Sequence, residues 1–449
     1  MGKVVIKTEI PGPRSREVVA REAAHLAPGL QGFALWAGVA MARGEGSVLS
    51  DVDGNRYVDL IGGIGVNSLG HCHPAYVKAI QRQAETLTVG SFTSEPRAEL
   101  VTEVAAMAPP GLARLQLYSG GSEAVESALR LARQSSDRSE VIGFSGAFHG
   151  KTAGAAAFMG SSAAKSSKEE FGPLPSGADS TPYADCYRCP FGLAYPSCGL
   201  ACAEAAREKI KATPSLAAVI VEPMQGTAGN VVPPKEFLPA VADATREAGA
   251  LLIADEMITG FGRTGRPWGV DRSGIAPDIV TLGKGFGSGF PISGVLTRTE
   301  IAAAKPWANP SGSSSSYGGN PLAAAAALAT VRVVRSERLW ENAARVGEVL
   351  LLELRHMAER FPFVGDVRGA GLLLGIEVVQ DRVTKEPVTT HVMRRVYEAC
   401  VRRGLLMMSY SPHIRIQPAL TIDVETGLEG LAILDEVFRE LAASGAWKS

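Results

Sequence analysis

Residues 251–289 read LLIADEMITGFGRTGRPWGVDRSGIAPDIVTLGKGFGSG, and the fold turns on how this stretch is parsed. An apolar run over 251–254 ends at two carboxylates, Asp255 and Glu256. A second run over 278–282 ends at a lysine held between glycines, Gly283-Lys284-Gly285. Short apolar runs bounded by polar or glycine residues fit strands buried in a parallel sheet. In open α/β sheets, ligand-binding residues collect at the carboxyl ends of the strands. One strand end here delivers an acid and another a lysine.

That pair suits pyridoxal phosphate (PLP). The cofactor needs a lysine amine for its aldehyde and a carboxylate to keep a proton on its pyridine nitrogen, so that the ring acts as an electron sink. Lys284 and Asp255 are the candidates for these roles. Taken alone, the pair is equally well read as solvated residues at strand ends. The stretch also holds Gly260-Phe261-Gly262-Arg263-Thr264-Gly265, a match to G-x-G-x-x-G. A dinucleotide fingerprint turns directly from strand into helix. Here Asp255 to Thr259 intervene, and Arg266-Pro267-Trp268-Gly269 is a poor helix start. The run is therefore read as a glycine loop beside the cofactor.

At 449 residues the chain is long enough for two or three domains. Its 45 basic and 46 acidic residues leave a net charge of -1, which excludes a global electrostatic pull toward nucleic acid or membrane. No apolar run reaches the length of a membrane span. The polar N-terminal residues lack a signal-peptide core, so a cytoplasmic protein is expected. Four of the six cysteines cluster in DCYRCPFGLAYPSCGLAC: Cys186, Cys189, Cys198 and Cys202. Four soft ligands could hold a tetrahedral zinc. The spacing is not a standard knuckle and no histidine joins it, so a reduced surface insertion without metal is expected.

Residues 1–45 read as an irregular arm with one short helix, broken by Pro11, Pro13 and Pro28. Residues 47–60 read as a hairpin about Asp53-Gly54. A loop then carries Gly62-Gly63-Ile64-Gly65, followed by His71 and His73 in a turn flanked by glycine and proline. Strands are expected at Arg114–Tyr118, Glu140–Phe144, 217–221, 251–254, 278–282 and 292–296. Helices are expected at 123–133, 235–248 and Pro321–Ser336. This alternation implies a mostly parallel central sheet flanked by helices. Strand runs at 372–378 and 414–416 belong to a smaller domain. The expected division is 1–73 (arm and part of the small domain), 74–328 (large domain) and 329–449 (C-terminal small domain).

Two further runs bear on the cofactor. Ser119-Gly120-Gly121-Ser122 joins a strand to an amphipathic helix, where free N–H groups and serine hydroxyls make a phosphate site. Ordinary serine capping is the alternative. Phe148-His149-Gly150 follows another strand, and its ring is read either as stacking on a flat heterocycle or as core.

Taken in order, SGGSEAVESALRLAR, GAFHGKT, VEPMQG, ADEMITGFGRTG, TLGKG, SYGGNPLAAAA and IRIQPAL resemble the class III (subgroup II) PLP-dependent aminotransferases, from about residue 20 onward. The resemblance implies the PLP-dependent transferase fold type I, with a smaller α+β domain built from the N- and C-terminal segments. It implies that Gly121 and Ser122 bind the cofactor phosphate. Phe148 and Met257 would cover the two ring faces, with His149 beside Phe148. Glu222 would sit near the ring hydroxyl, Asp255 at the pyridine nitrogen, and Lys284 would form the Schiff base. Ser316 would reach the phosphate of the neighbouring subunit of a homodimer. Arg415 would grip a substrate carboxylate, and Lys151 and Ile64 would line the substrate pocket.

Two positions depart from the 4-aminobutyrate, ornithine and acetylornithine branches. Lys151 stands where those usually carry Arg, and Thr227 where they usually carry a second Glu. The expected activity is transfer of an amino group from a primary amine, diamine or ω-amino acid to pyruvate or 2-oxoglutarate, by a ping-pong mechanism. The alternatives are an amino-acid racemase, epimerase or aminomutase on the same fold, a 4-aminobutyrate aminotransferase, and a non-catalytic PLP-fold binding protein.

Overall fold

The computed structural model describes residues 2–160 and 172–448. The chain divides into two compact units: residues up to His73 together with those from Asn342 onward, and Pro74–Glu341. The sequence reading drew the second boundary at 328/329, inside the helix Pro321–Ser336. That helix packs Ala323, Ala324, Ala327, Leu328 and Val331 into the core of the large unit, so the division falls beyond its end.

The large unit is built on a seven-stranded sheet. Its order is Arg114–Tyr118, Ser293–Thr297, Ile279–Leu282, Leu251–Asp255, Leu216–Val221, Glu140–Phe144, Ala178–Thr181. Only Ser293–Thr297 runs against its neighbours; the other strands are mutually parallel. Leu216–Val221 is buried at every position, as expected of a central strand covered by helices on both faces. The helix Gly121–Ser136 covers one face through Val125, Leu129 and Leu131, each worth about 2 kcal/mol of burial. Its acidic Glu123 and basic Arg133 match the dipole at either end.

The edge strand Ala178–Thr181 was not anticipated. Its sequence ADST has no apolar pattern, and it is held by backbone pairing to Glu140–Phe144.

The smaller unit holds two four-stranded sheets. One orders Met41–Glu45, Val48–Asp51, Arg56–Asp59 and Leu405–Leu406; the other orders Val364–Ala370, Leu373–Val378, His413–Ile416 and Met408–Tyr410. The expected hairpin about Asp53-Gly54 is present as the antiparallel pair Val48–Asp51 and Arg56–Asp59. The arm is more ordered than its sequence implied, with helices Pro13–Ala23 and Gly32–Ala37 and the strand Met41–Glu45. Phe33 and Trp36 from this arm stack edge-on against Tyr397, which a propensity reading of the arm alone does not reveal.

Candidate active site

Asp255 ends the strand Leu251–Asp255 and is 1% exposed. Its register partner on the next strand is Thr281. Thr281 Oγ1 donates to Asp255 Oδ1 at 2.9 Å, and the Met257 N–H donates to the same oxygen at 3.0 Å. Asp255 Oδ2 lies 2.6 Å from Nδ1 of His149, which is wholly buried. Burial disfavours protonation of His149, but the hydrogen bond and charge of Asp255, with the charge of Glu222 behind it, prevail and raise its pKa; the charge of Lys284 opposes them. Glu222 is itself pushed up, first by burial. It accepts from the Phe148 N–H at 2.9 Å and the Gly226 N–H at 3.1 Å. Asp255, His149, Glu222 and Lys284 thus form one electrostatic group, in which the charges of both carboxyls favour protonation of His149 and that of Lys284 opposes it.

Lys284 stands two residues beyond Ile279–Leu282, half-buried, with φ of 42°. This left-handed conformation turns the chain sharply at the end of the strand. Met257 packs against the glycines on either side. A Cβ on Gly121 would lie 3.0 Å from its Sδ, and one on Gly283 only 2.4 Å. Glycine at both positions therefore lets one thioether reach the serine–glycine loop and the lysine loop together.

The helix Gly121–Ser136 begins with Gly121 and Ser122, whose N–H groups donate to no partner among the described residues. The N–H groups of Ser119 and Gly120 are taken by Glu123 Oε2, at 3.1 and 2.6 Å. Two open N–H groups at the positive end of a four-turn helix form an anion cradle. Ser122 Oγ accepts from the Lys151 N–H at 3.2 Å, which ties this cradle to the His149-Gly150-Lys151 segment; the Lys151 side chain is exposed. Phe148 is half-buried and packs on Ala156 and Met159.

These features fit PLP on their own terms. The large unit offers an anion cradle, a buried carboxylate beside a histidine, and a lysine whose charge reaches that same histidine. Ser316 lies in an exposed loop of this unit. Arg415 and Ile64 belong to the smaller unit. Arg415 is 7% exposed on the strand His413–Ile416, opposite Gly375 and Met408. Ile64, at φ 68°, packs against the same buried cluster as Trp36 and Tyr410, which includes Ile61, Tyr397 and Met408.

Residues 34–438 match the family model for class-III aminotransferases. The chain belongs to that family. It is 34% identical over 416 residues to a leucine/methionine racemase of Thermococcus litoralis, covering 90% of this chain and 92% of the relative. It is likewise 34% identical over 426 residues to a diaminobutyrate–2-oxoglutarate aminotransferase of Rhizobium meliloti, covering 90% and 87%. Among solved structures it superposes on a thermostable (S)-enantioselective omega-transaminase from Thermomicrobium roseum, with TM-score 0.87, 34% identity and coverage of 98% of this chain and 100% of the other. The chain is a PLP-dependent aminotransferase of fold type I.

The aminotransferase holds two functional-site neighbours that the sequence reading passed over. Thr281 was counted within an apolar run, although a threonine in a fully buried strand (IVTL) is itself a signal, since its hydroxyl must find a partner. Glu256 was noted only as the neighbour of Asp255. It is 1% exposed and accepts from the Thr259 hydroxyl, from the Gly269 N–H at 2.9 Å and from the Val270 N–H at 2.8 Å. It thereby clamps the glycine loop, whose 260–265 portion is a succession of turns without a helix.

Burial raises the Glu256 pKa from 4.5 to about 7, against the lowering effect of those three hydrogen bonds. The folded aminotransferase therefore holds this proton more tightly than the unfolded chain. The stability this carboxyl contributes is fully present below pH 4.5 and is lost as pH rises through 7. Glu256→Gln removes that dependence. The unfolding free energy of the wild type minus that of the variant should fall by about 3 kcal/mol between pH 4.5 and 7. Urea unfolding of the apoprotein at both pH values measures it; a constant difference would mean that folding does not perturb this carboxyl.

The four clustered cysteines line one pocket. Burial, and then the neighbouring thiols, push Cys186 up to about 11, and burial also raises Cys202. Among the described residues, no three His, Cys, Asp or Glu side chains stand so as to hold a metal ion.

Proposed function

We propose that this aminotransferase moves an amino group from a primary amine, diamine or ω-amino acid to an oxo acid, pyruvate or 2-oxoglutarate, in two alternating half-reactions. The observation that carries this reading is the buried Asp255–His149 pair with Lys284 in the same electrostatic group. Bound PLP would supply an electron sink for charge developing on the donor carbon. Lys284 would hold the cofactor and, once released, move a proton between the donor carbon and the cofactor. Asp255 would keep the ring nitrogen protonated, with Thr281 and the Met257 N–H fixing its other oxygen. Glu222 would support the acid network from the side of the ring hydroxyl. Gly121 and Ser122 would bind the phosphate, and Phe148 and Met257 would cover the ring faces. Arg415 would grip the oxo-acid carboxylate, for which a planar guanidinium is better suited than an ammonium. Ile64 and Lys151 would border the amine.

The donor follows from Lys151 and Thr227. Lys151 is a point charge without the fork that clamps a carboxylate through two hydrogen bonds. Thr227 brings no charge to hold Arg415 aside. Both fit a donor without a second fixed carboxylate. In a donor screen, simple amines and diamines should therefore outperform 4-aminobutyrate. Arg415→Ala should raise KM for the oxo acid roughly a hundredfold, the loss of two charge-assisted hydrogen bonds, while the amine KM changes far less. A screen led by 4-aminobutyrate, with its rate lost in Lys151→Ala, would instead give Lys151 the job of a carboxylate clamp.

A second reading is an amino-acid racemase or epimerase, favoured by the 34% identity to a racemase over nine-tenths of this chain. A racemase turns over without added oxo acid, whereas the aminotransferase stops after one half-reaction.

We also infer a homodimer. Phe92 is 89% exposed and Tyr317 68%, with Leu87 and Val89 about half exposed, all in the large unit. Arg97 donates to the Phe92 carbonyl at 2.9 Å, and Gly319 backs onto the same Arg97 side chain, so these residues border one patch. Apolar exposure of this kind marks an interaction surface. Light scattering should return twice the 47.0 kDa of the chain, and Phe92→Asp should weaken the assembly. A fully active monomer at assay concentration would overturn the dimer.

A further inference from the structure

Tyr118 is the last residue of the strand that leads into the phosphate loop, and its hydroxyl is buried among other hydroxyls. It lies 2.5 Å from Ser127 Oγ, in the second turn of the helix Gly121–Ser136, and 2.5 Å from Ser313 Oγ. Trp307 Nε1 donates to Ser127 Oγ at 2.9 Å, and Arg130 Nη2 donates to Ser313 Oγ at 3.0 Å. Tyr118, Ser127, Ser313 and Trp307 are each 7% exposed or less. The Tyr118 hydroxyl also donates to the Ser313 carbonyl at 3.1 Å, and the two serine hydroxyls lie 3.3 Å apart. Arg130 and the Trp307 indole donate into this shared cluster of hydroxyls. Chained hydroxyls of this kind polarise one another, and a member left without its partner is costly.

The cluster joins three separate pieces of chain: the strand end, the helix whose first N–H groups form the anion cradle, and the loop containing Ser313. Ser314, Ser316 and Tyr317 all face outward, and Ser313 is the residue pinned from beneath. Ser316 lies three residues beyond the pin. A flexible serine-rich loop gives up backbone entropy when it takes a single conformation, and a buried hydrogen-bonded anchor removes much of that cost in advance.

We propose that Tyr118, Ser127 and Ser313 are positioning residues that hold the Ser316 loop ready to bind the cofactor phosphate of a neighbouring subunit. The inference rests on the PLP-dependent homodimer proposed above. One buried network then sets both the cradle for a subunit's own phosphate and that subunit's reach toward its partner's.

The test is PLP binding to the apoprotein, followed by quenching of tryptophan fluorescence, alongside light scattering and thermal unfolding. Ser313→Ala should weaken PLP binding roughly tenfold, as should Ser316→Ala, while Ser313→Thr should stay close to wild type. The double variant Ser313→Ala/Ser316→Ala should bind no more weakly than Ser316→Ala alone, because the anchor acts through Ser316. A general structural defect would instead add its full effect in both backgrounds, and that result overturns the proposal. Should Ser313→Ala not fold, Tyr118→Phe keeps the ring in the core and removes only the bridging hydroxyl. It should show the same tenfold loss and the same dependence on Ser316. A wild-type dimer that binds PLP, with unchanged affinity in Ser313→Ala, overturns the anchor alone. Wild-type protein that takes up no PLP, or takes it up fully as a monomer, overturns the dimeric PLP reading and the anchor with it.

Discussion

Lys284→Ala should fold, accept PLP without covalent attachment, and lose turnover by a factor of about 10⁴ or more. Two separate tasks are lost in this variant. In the proposed mechanism the amine is the nucleophile that holds the cofactor, and it is also the base and acid that moves the proton; the second task alone would be worth about 10²–10⁴ in rate. The fold should survive for a geometric reason. Lys284 adopts φ of 42°, strained for any residue with a Cβ, and alanine carries the same Cβ as lysine. The substitution neither adds nor relieves that strain, whereas glycine would relax the loop and confuse loss of chemistry with loss of geometry. Removing the lysine charge also withdraws the one influence that opposes protonation of His149 from nearby charge, so the Asp255–His149 pair should tighten. Borohydride reduction followed by peptide mass spectrometry checks the attachment. The wild type should carry reduced cofactor on the peptide containing Lys284, and the variant on none. Turnover close to wild type, or attachment to another lysine, would remove Lys284 from the mechanism.

The parts of this architecture that were legible in the sequence are those whose burial writes itself into composition. Leu216–Val221 and Leu251–Asp255 read as strands because a strand covered on both faces must be apolar at nearly every position. Ala178–Thr181 and Met41–Glu45 did not, because edge strands are held by backbone hydrogen bonds and leave side chains in water. The same contrast divides the site. Asp255 ends its strand and Lys284 follows two residues after its own, so position made them candidates, which the family resemblance then singled out. The Tyr118–Ser127–Ser313 cluster could not be read, because its contacts span up to 195 positions of chain and serine in a serine-rich loop carries no local signal. Thr281 lay between. A lone hydroxyl in a buried strand announces a partner without saying which one.

Asp255→Asn should retain the cofactor and lose about a thousandfold in kcat. The change is close to isosteric, and the surrounding bonds tell what asparagine keeps. Oδ1 accepts from the Thr281 hydroxyl and the Met257 N–H, and an amide oxygen can accept from both. Oδ2 faces His149 Nδ1 at 2.6 Å, and there the amide nitrogen must donate instead. His149 then has to present an unprotonated Nδ1. Nothing in the variant prevents this, because the Asp255 hydrogen bond and charge are what raise the His149 pKa against burial. The pair can therefore reverse its hydrogen bond, and the variant should fold. What asparagine cannot supply is the negative charge that, in the proposed mechanism, keeps a proton on the ring nitrogen. Removing one preorganised electrostatic partner from a water-excluded site costs about 10²–10³ in kcat, and here the lost partner carries a full charge. PLP should still attach to Lys284, with affinity within roughly tenfold of wild type, since the phosphate cradle is untouched. A rate like that of the wild type would show that another group protonates the ring, and Glu222, the other buried carboxylate of the cluster, would then be the residue to replace.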